Sequence, residues 1–264
     1  MPQVASRFAD RIVVVTGAAS GIGASTALMF ADEGATVYCA DIDRAGCLRT
    51  IERVHGTAGR AFALVLDVAA EEQWEAGLRH VVEASGQLDV LVNSAGISFS
   101  AAVSETTLAD WRRVFAVNLD SIFLGTKYAI RAMTPRGGTI VNVSSASGIR
   151  PSAGASAYST SKAAVGMFTR ATAKECRSLG LPIRVNAVAP AGVKTPMWTT
   201  MPFFQKLMAE RGSEAAAFEA LAQQNAGVRF AEPEAIASAI LYLASDETAA
   251  ITGAELVVDD GYVL

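Results

Sequence analysis

Short runs of apolar, mostly β-branched residues alternate along this chain with longer segments that have helical periodicity. Such alternation is typical of repeated strand–helix–strand units, which build a parallel sheet. Because the runs are apolar throughout, we expect helices to cover both faces of that sheet. The sequence thus predicts a doubly wound α/β fold. Strands are predicted at residues 12–15, 36–40, 61–66, 90–92, 139–143, 183–189 and 255–258, and helices at 21–32, 44–54, 71–84, 108–133, 157–178 and 233–243.

The chain has 264 residues and is 51% hydrophobic, which is enough to bury one sizeable core. No linker rich in Gly, Ser or Pro divides it, so a single domain over 1–264 is predicted. One insertion, at about 191–231, interrupts the alternation of strand and helix segments and is rich in methionine and aromatic residues. Long connections in compact domains are usually lids or binding loops, so we expect a substrate lid here. The same residues could instead only pack the lid onto the core.

Composition excludes several classes of function. The net charge is -4 with interspersed signs and no basic run, so no nucleic-acid partner is expected. Apolar stretches are strand-sized and the N-terminus has no apolar signal core, which predicts a cytoplasmic protein without a membrane span. The two histidines and three cysteines lack metal-ligand spacing, and no G-x-S-x-G segment occurs. Neither a metal site nor a Ser-His-Asp hydrolase is expected.

A glycine-rich turn links the first predicted strand to the first helix. Gly17, Gly21 and Gly23 allow a tight turn and a close approach to a pyrophosphate, whose charge then lies against the free N–H groups of the helix N-terminus. Ser20 and Ile22 belong to the same predicted site. An ordinary strand-to-helix turn can use the same residues, and the spacing is G-x-x-x-G-x-G. Its place between a buried strand and a helix favours a dinucleotide site.

Asp41, at the end of the second predicted strand, indicates which dinucleotide binds. Its carboxylate can accept hydrogen bonds from the adenosine ribose hydroxyls of NAD. A 2′-phosphate of NADP would face like charge, and neighbouring positions such as Ile42 supply no Arg or Lys. NAD is therefore predicted, although Asp41 could simply start a turn with Asp43. Asp41 and Ile42 are joined in the predicted cofactor site by residues at the ends of the next two strands, namely Asp67, Val68, Asn93, Ala95 and Gly96.

Tyr158 and Lys162 lie four residues apart in a predicted helix and therefore share one face. A phenol is a poor base at neutral pH, and lowering its pKa by about three units requires about 4 kcal/mol of differential stabilisation. A nearby ammonium or a positively charged nicotinamide ring provides such stabilisation. Two residues at this spacing are commonly just a helix surface, so the pair needs support from other motifs.

Several separated motifs occur in order along the chain, namely Thr16-Gly17-x-x-x-Gly21-Ile22-Gly23, Asn93-x-Ala95-Gly96, Asn118, Ser145 and Tyr158-x-x-x-Lys162. Through these motifs the chain resembles the short-chain dehydrogenase/reductase family in its classical form. The resemblance covers essentially the whole chain and implies a seven-stranded Rossmann sheet, a nicotinamide cofactor and usually a homotetramer.

The resemblance also implies a role for each catalytic residue. Tyr158 exchanges the proton, and Ser145, thirteen residues earlier, holds the substrate oxygen beside it. Asn118 is linked through a water to Lys162 in a proton relay. Asparagine is unfavourable within a helix, which supports a special purpose for Asn118. Further cofactor contacts are implied at Pro190, Val193 and Thr195, the last at the nicotinamide carboxamide.

Three positions depart from the family pattern: Ala191 replaces a usual glycine, Ser94 replaces an asparagine, and Asp260 stands where glycine is common. If the backbone at Ala191 requires a positive φ, the turn beside the nicotinamide would differ.

The sequence thus predicts an NAD-dependent oxidoreductase that moves a hydride between the cofactor and a secondary alcohol or ketone, with an alicyclic or steroid-like substrate. A 3-oxoacyl-thioester reductase of the same family is one alternative, although such members more often use NADPH. A non-catalytic NAD-binding sensor is another. The enoyl reductase branch is disfavoured by the short interval between tyrosine and lysine.

Overall fold

The computed structural model describes residues 6–54, 59–224 and 228–264. Within these ranges, seven parallel strands form one sheet in the order β3-β2-β1-β4-β5-β6-β7. The predicted doubly wound, Rossmann-type α/β fold is confirmed, and no strand end differs from its prediction by more than one residue. The strands are β1 (Ile12–Thr16), β2 (Thr36–Asp41), β3 (Arg60–Val65), β4 (Val90–Asn93), β5 (Gly138–Val143), β6 (Ile183–Pro190) and β7 (Glu255–Val258).

Helices cover both faces of the sheet because successive strand residues point in opposite directions. Val13 and Val15 of β1 belong to one buried cluster, and Val14 belongs to the other. The first cluster includes residues of α1 (Gly21–Asp32), α2 (Arg44–Ile51) and α10 (Pro233–Ala244). The second includes residues of α3 (Glu71–Ser85), α5 (Ser121–Met133) and α6 (Ser156–Ser178).

One predicted helix is interrupted. The segment 108–133 consists of α4 (Leu108–Phe115), a π-helical turn (Ala116–Asp120) and α5. Thr107 caps α4, since its hydroxyl accepts the backbone N–H of Asp110 at 3.0 Å. A π turn widens the backbone locally, and such turns are frequent at functional sites. Periodicity alone could not separate these pieces, because the apolar spacing continues across them.

The order of the strands places a crevice at their carboxyl ends. Strand β1 lies between β2 and β4, so the chain leaves β1 and β4 towards opposite sides of the sheet. Ligands of open α/β sheets bind at this switch point. The insertion at 191–231 contains α7 (Pro196–Thr199), α8 (Pro202–Arg211) and α9 (Glu214–Gln224), while its residues 225–227 fall outside the described ranges.

Neither a membrane span nor a metal site is found in the described ranges. No helix there combines the length and the apolar character that crossing a bilayer requires. The same residues include no group of three or more His, Cys, Asp or Glu side chains arranged to hold a metal ion.

Candidate active site

The glycine-rich turn after β1 is shaped by close contacts that leave no room for side chains. Gly17 has a φ of +69°, and a methyl group on it would lie 2.9 Å from the Cα of Ala95. A methyl group on Gly23 would lie 2.3 Å from the carbonyl oxygen of Gly17. The strand end, the turn and the start of α1 therefore pack backbone against backbone, and only glycine fits at these two positions.

The N-terminus of α1 is a suitable place for a phosphate. Among the described residues, no side chain caps this helix end, and Ser20 stands at the capping position with extended backbone. The first N–H groups of a helix have no partner within it, and the helix dipole favours an anion there. These residues fit the pyrophosphate of a dinucleotide cofactor.

Asp41 lies beside the glycine-rich turn. Its Oδ2 accepts the backbone N–H of Ala19 at 3.2 Å, and its Oδ1 accepts that of Asp43 at 3.0 Å. The carboxylate thus supports both the turn after β2 and the glycine-rich turn after β1. Ile42, beside it, is 70% exposed.

Sequence reasoning missed three cations near this turn. Arg49 on α2, Arg53 just after it and Lys194 after β6 line a cavity of about 290 Å³ together with Ser20 and Gly21. Arg49 also pairs with Asp43, 3.3 Å away. The immediate neighbours of Asp41 in the chain carry no positive charge. The fold nevertheless brings positively charged side chains close to the same turn.

The ends of β3 and β4 complete the predicted cofactor crevice. The Oδ1 of Asp67 accepts the backbone N–H of Ala69 at 2.9 Å, so this carboxylate forms a turn, and Val68 beside it is buried. The hydroxyl of Thr16 accepts the N–H groups of Ser94 and Ala95 at 3.0 and 3.1 Å. This pair of bonds fixes the loop after β4 against the end of β1.

Buried amides hold β4 within the sheet. The Nδ2 of Asn93 donates to Oδ1 of Asn142 on β5 at 2.9 Å. Both asparagines are almost fully buried. Asn93 therefore stabilises the part of the sheet that lies beneath the crevice.

Ser145 and Tyr158 lie next to each other in the crevice. The Ser145 hydroxyl donates to the carbonyl oxygen of Pro190 at 3.3 Å and accepts the N–H of Ser147 at 3.1 Å. Burial raises the pKa of Tyr158, and a hydrogen bond with the Ser145 hydroxyl opposes this effect. Burial is the larger of these two effects, and the lowering of the phenol pKa by the Lys162 ammonium and the nicotinamide ring stays a prediction.

Lys162 is 4% exposed, and its Nζ donates to the carbonyl oxygen of Val143 at 2.9 Å. The ammonium lies 5.9 Å from the centre of the Tyr158 ring. Burial lowers the pKa of Lys162 to about 8, because the charged form loses hydration. This amine can therefore exchange a proton close to neutral pH.

Asn118 lies in the π-helical turn and is fully buried. Its Oδ1 accepts the N–H of Ile97 at 2.8 Å, and its Nδ2 donates to the carbonyl of Ile97 at 2.9 Å and to the hydroxyl of Ser161 at 3.2 Å. A methyl group on Gly96 would lie 3.3 Å from this Oδ1 and 3.5 Å from Nζ of Lys162. Asn118 and Lys162 thus border the same small space. The water between them stays a prediction.

The segment after β6 closes the crevice opposite β4. A methyl group on Gly21 would lie 3.1 Å from Cγ2 of Thr195, so this threonine packs against the glycine-rich turn. The carbonyl of Val193 accepts Nε1–H of Trp198 at 2.9 Å, which ties this segment to α7.

Two departures from the family pattern have structural explanations. Ala191 keeps its backbone outside the positive-φ region, so this position does not require glycine. Asp260 adopts a φ of +51°, and Arg229 donates to its carboxylate through the backbone N–H, Nε and Nη2 at 3.0, 3.3 and 3.1 Å. These bonds hold the left-handed conformation that glycine would adopt without strain.

The aromatic residues of the insertion form a small core of their own. Trp198 contacts four phenylalanine rings at centroid distances of 5.1–6.3 Å. Phe204 is fully buried in this cluster, whereas Phe203 is 46% exposed. The side chain of Phe204 therefore contributes to packing within the insertion. The insertion reaches the loop after β4 through Met201, whose sulfur lies 4.0 Å from the hydroxyl of Ser98.

The fold thus brings Ser145, Tyr158, Lys162 and Asn118 together at one end of the sheet, beside a turn that fits a dinucleotide phosphate. Two hydroxyls facing one space can hold a substrate oxygen, and a buried amine with a pKa near neutrality can exchange protons with the phenol. This is an arrangement for proton transfer at an oxygen atom.

Comparison with known proteins identifies relatives that align with almost the whole chain. A family model described as enoyl-(acyl carrier protein) reductase matches residues 17–263. The 3-oxoacyl-[acyl-carrier-protein] reductase FabG of Thermotoga maritima is 39% identical, over 98% of this chain and 100% of that protein. The cyclopentanol dehydrogenase of Comamonas testosteroni is 38% identical, over 97% of this chain and 98% of that protein. The crystal structure of levodione reductase superposes with a TM-score of 0.86 at 30% identity, covering 97% of this chain and 98% of that one.

Proposed function

The chain belongs to the short-chain dehydrogenase/reductase family, and from this premise we propose that it is an NAD-dependent dehydrogenase of secondary, preferably alicyclic, alcohols. Membership of the family makes the chain an oxidoreductase that uses a nicotinamide cofactor. The observation that most supports this alcohol chemistry is the pairing of the Ser145 and Tyr158 hydroxyls beside the buried amine of Lys162.

In the oxidative direction, Tyr158 takes the proton of the substrate hydroxyl while Ser145 holds the oxygen in place. A nicotinamide cofactor held at the glycine-rich turn would supply the hydride chemistry at the carbon that bears this oxygen, as acceptor in oxidation and as donor in reduction. Reduction returns the proton from Tyr158 to the carbonyl oxygen. Both hydroxyls donate towards the same oxygen, so they stabilise the negative charge that develops there.

Lys162 and Asn118 prepare Tyr158 for the next turnover. The ammonium of Lys162 favours the phenolate, and its pKa of about 8 allows it to pass a proton on. Asn118, fixed at both ends by Ile97, borders the same space and directs the proton towards the loop after β4. The water that would complete this path is part of the proposal.

The position of Asp41 favours NAD as the cofactor. Its carboxylate lies against the glycine-rich turn, where the adenosine ribose is expected, and would repel a 2′-phosphate. The N–H groups at the start of α1 would hold the pyrophosphate, and Thr195 lies where it can meet the nicotinamide end. The remaining predicted contacts, Val68, Pro190 and Val193, would line the crevice between them.

An alicyclic substrate fits both the relatives and the insertion. Cyclopentanol dehydrogenase is named for a ring-shaped substrate. In this chain, Met201 and Ser98 bring the insertion against the loop after β4, so an apolar ring would be covered from two sides. We therefore propose that residues 191–231 form a substrate lid.

We further propose that the chain forms a homotetramer in the cytoplasm. Leu108, Phe123 and Met167, on α4, α5 and α6, are 61%, 47% and 61% exposed. Large apolar side chains exposed on neighbouring helices are typical of an interface. The three cysteines are buried and unpaired, as is usual in a reducing compartment.

A second candidate is reduction of 3-oxoacyl thioesters, since the FabG relative is as similar as the alcohol dehydrogenase. The two activities share the same chemistry and differ in the substrate that the lid accepts. The non-catalytic sensor is less well supported, because all four catalytic side chains are in place. The same holds for enoyl reduction, which the family model's description names, given the short interval from tyrosine to lysine.

A substrate panel with a matched variant tests the proposal. Absorbance of NADH should report oxidation of ring-shaped secondary alcohols faster than reduction of 3-oxoacyl or enoyl thioesters. Tyr158→Phe should lose at least about a hundredfold in kcat, because the acid/base hydroxyl is gone, while NADH binding measured by fluorescence stays close to wild type. Activity within a few-fold of wild type in this variant would exclude the mechanism, and NAD binding without turnover on any substrate would favour the sensor.

A further inference from the structure

Glu255 connects the two elements that carry the catalytic hydroxyls. It is the first residue of β7, the edge strand of the sheet, and its side chain is 16% exposed. Its Oε1 accepts the hydroxyl of Ser144, which directly follows β5, at 2.7 Å. Its Oε2 lies 3.4 Å from Nη1 of Arg170 on α6. A single carboxylate therefore bridges the end of β5 and the helix that carries Tyr158.

The bond between Ser144 and Glu255 is well defined. Ser144 is 2% exposed, and its backbone N–H donates to the carbonyl of Val188 at 2.8 Å. Its hydroxyl also lies 2.9 Å from that carbonyl, which the N–H already satisfies. The single hydroxyl proton is therefore best donated to the carboxylate, since charge-assisted bonds are the stronger ones.

Ser144 and Ser145 are held from opposite sides. The backbone at Ser145 is extended, with φ -164° and ψ 149°, so neighbouring side chains point away from each other. Glu255 binds Ser144 on one side, and Pro190 binds Ser145 on the other. The direction of the Ser145 hydroxyl therefore depends on the anchor at Ser144.

The same carboxylate also sets the position of α6. A methyl group on Gly166 would lie 2.6 Å from Oε2 of Glu255, so the helix backbone packs directly onto this carboxylate. A second close approach occurs at Gly148, where a methyl group would lie 2.7 Å from the backbone nitrogen of Ala163. The turn after β5 thus meets α6 directly at Gly148, and Glu255 joins the two a second time through Ser144 and Gly166.

We propose that Glu255 is a positioning residue for the dehydrogenase reaction, which holds Ser144 and α6 together and thereby sets the separation of the Ser145 and Tyr158 hydroxyls. This inference rests on the proposed function. In the sequence, Glu255 stands out only as an acidic residue at the start of an otherwise apolar predicted strand. Its positioning role can be inferred only once that strand is known to lie beside β6.

The test compares Glu255→Leu with Glu255→Gln. Leucine removes the acceptor for Ser144, whereas glutamine keeps an oxygen at a similar position. We expect kcat for the best alcohol to fall at least about tenfold in the leucine variant and to stay within about threefold in the glutamine variant, with KM for NAD unchanged in both. Glu33→Leu is the control, because Glu33 is also half-buried and ion-paired, to Arg7, but lies at the far end of α1.

A double-mutant cycle identifies Ser144 as the group through which Glu255 acts. Ser144→Ala should reduce kcat as Glu255→Leu does, and the double variant should be no slower than the slower single variant, since both remove the same bond. Independent, multiplicative losses would contradict this route. A leucine variant that loses thermal stability but keeps kcat would show a merely structural role and overturn the inference.

A second readout does not depend on turnover. The phenolate absorbance of Tyr158 can be isolated by subtracting the titration of Tyr158→Phe. Because the Ser145 hydroxyl opposes the effect of burial on the Tyr158 pKa, displacing Ser145 should raise that pKa in Glu255→Leu. If the wild type proves inactive on all alcohols, the proposed function fails, and this titration decides the positioning separately: an unchanged pKa overturns it and a raised pKa supports it.

Discussion

The ammonium nitrogen of Lys162 lies 2.9 Å from the carbonyl oxygen of Val143, at the end of β5. This bond places a positive charge in a site where the lysine side chain is 4% exposed. Burial lowers the pKa of Lys162 to about 8, compared with 10.5 for an unburied lysine. The fold therefore holds a positive charge close to Tyr158, although burying that charge is unfavourable. A proton relay requires a titratable group at such a position.

The first prediction concerns stability against pH. Between pH 8 and 10.5 the unfolded chain keeps the Lys162 proton while the folded chain has lost it, so this group favours the folded state increasingly as pH rises. The free energy of unfolding of wild type minus that of Lys162→Met should rise by up to about 3 kcal/mol across this window. Urea unfolding at several pH values measures it. The exposed Lys174 on the same helix, changed to Met, is the control; a parallel profile for both variants would contradict the prediction.

The second prediction concerns the direction of catalysis. Burial raises the pKa of Tyr158, and alcohol oxidation needs the deprotonated phenol. Oxidation should therefore accelerate from neutral to alkaline pH, and ketone reduction should slow over the same range. Initial rates in both directions, measured with saturating cofactor, test this. A flat profile for oxidation would indicate that cofactor release or another group limits the rate.

The third prediction concerns cofactor choice. Asp41 should bond to the ribose hydroxyls, at about 1.5–3 kcal/mol, and repel a 2′-phosphate, so NAD should be preferred at least about a hundredfold in kcat/KM. Asp41→Ala should lower efficiency with NAD and narrow the preference. Adding Ile42→Arg, at a position 70% exposed, should narrow it further by pairing with the phosphate.

Kinetics with both cofactors on wild type and variants provide the measurement, with the exposed Asp32 changed to Ala as the control. Equal use of NADP by the wild type would show that Arg49 and Arg53, beside the same turn, outweigh Asp41. The assignment of NAD would then be wrong.

The fourth prediction concerns the proposed lid. Met201 contacts Ser98 across the crevice, so Met201→Ala should raise KM for ring-sized alcohols more than for small acyclic ones. Met208, which packs within the lid's own aromatic cluster, provides the matched control as Met208→Ala. Equal effects of the two variants on all substrates would mean that Met201 only stabilises the lid.

The sequence by itself determined the order of the main strands and helices and most residues of the candidate site. The strand bounds and those of most helices follow from local periodicity, which depends on residues a few positions apart, whereas the three helices within 191–231 and the interruption of 108–133 were not predicted. The turn from Gly17 to Gly23 was also readable, because the need for glycine is set by the local backbone. Asn118 was recognised as unusual within a helix, although the π-helical turn around it was not predicted.

Only the tertiary structure decided which distant groups meet. Glu255 and Ser144 are 111 positions apart, and their bond exists because β7 completes the sheet beside β6. Arg53 approaches the glycine-rich turn only because α2 packs beside α1. The pKa of Tyr158 likewise follows from burial, which no sequence interval measures. Contacts, burial and charge separation depend on how the elements pack, so these features could be established only once the packing was known.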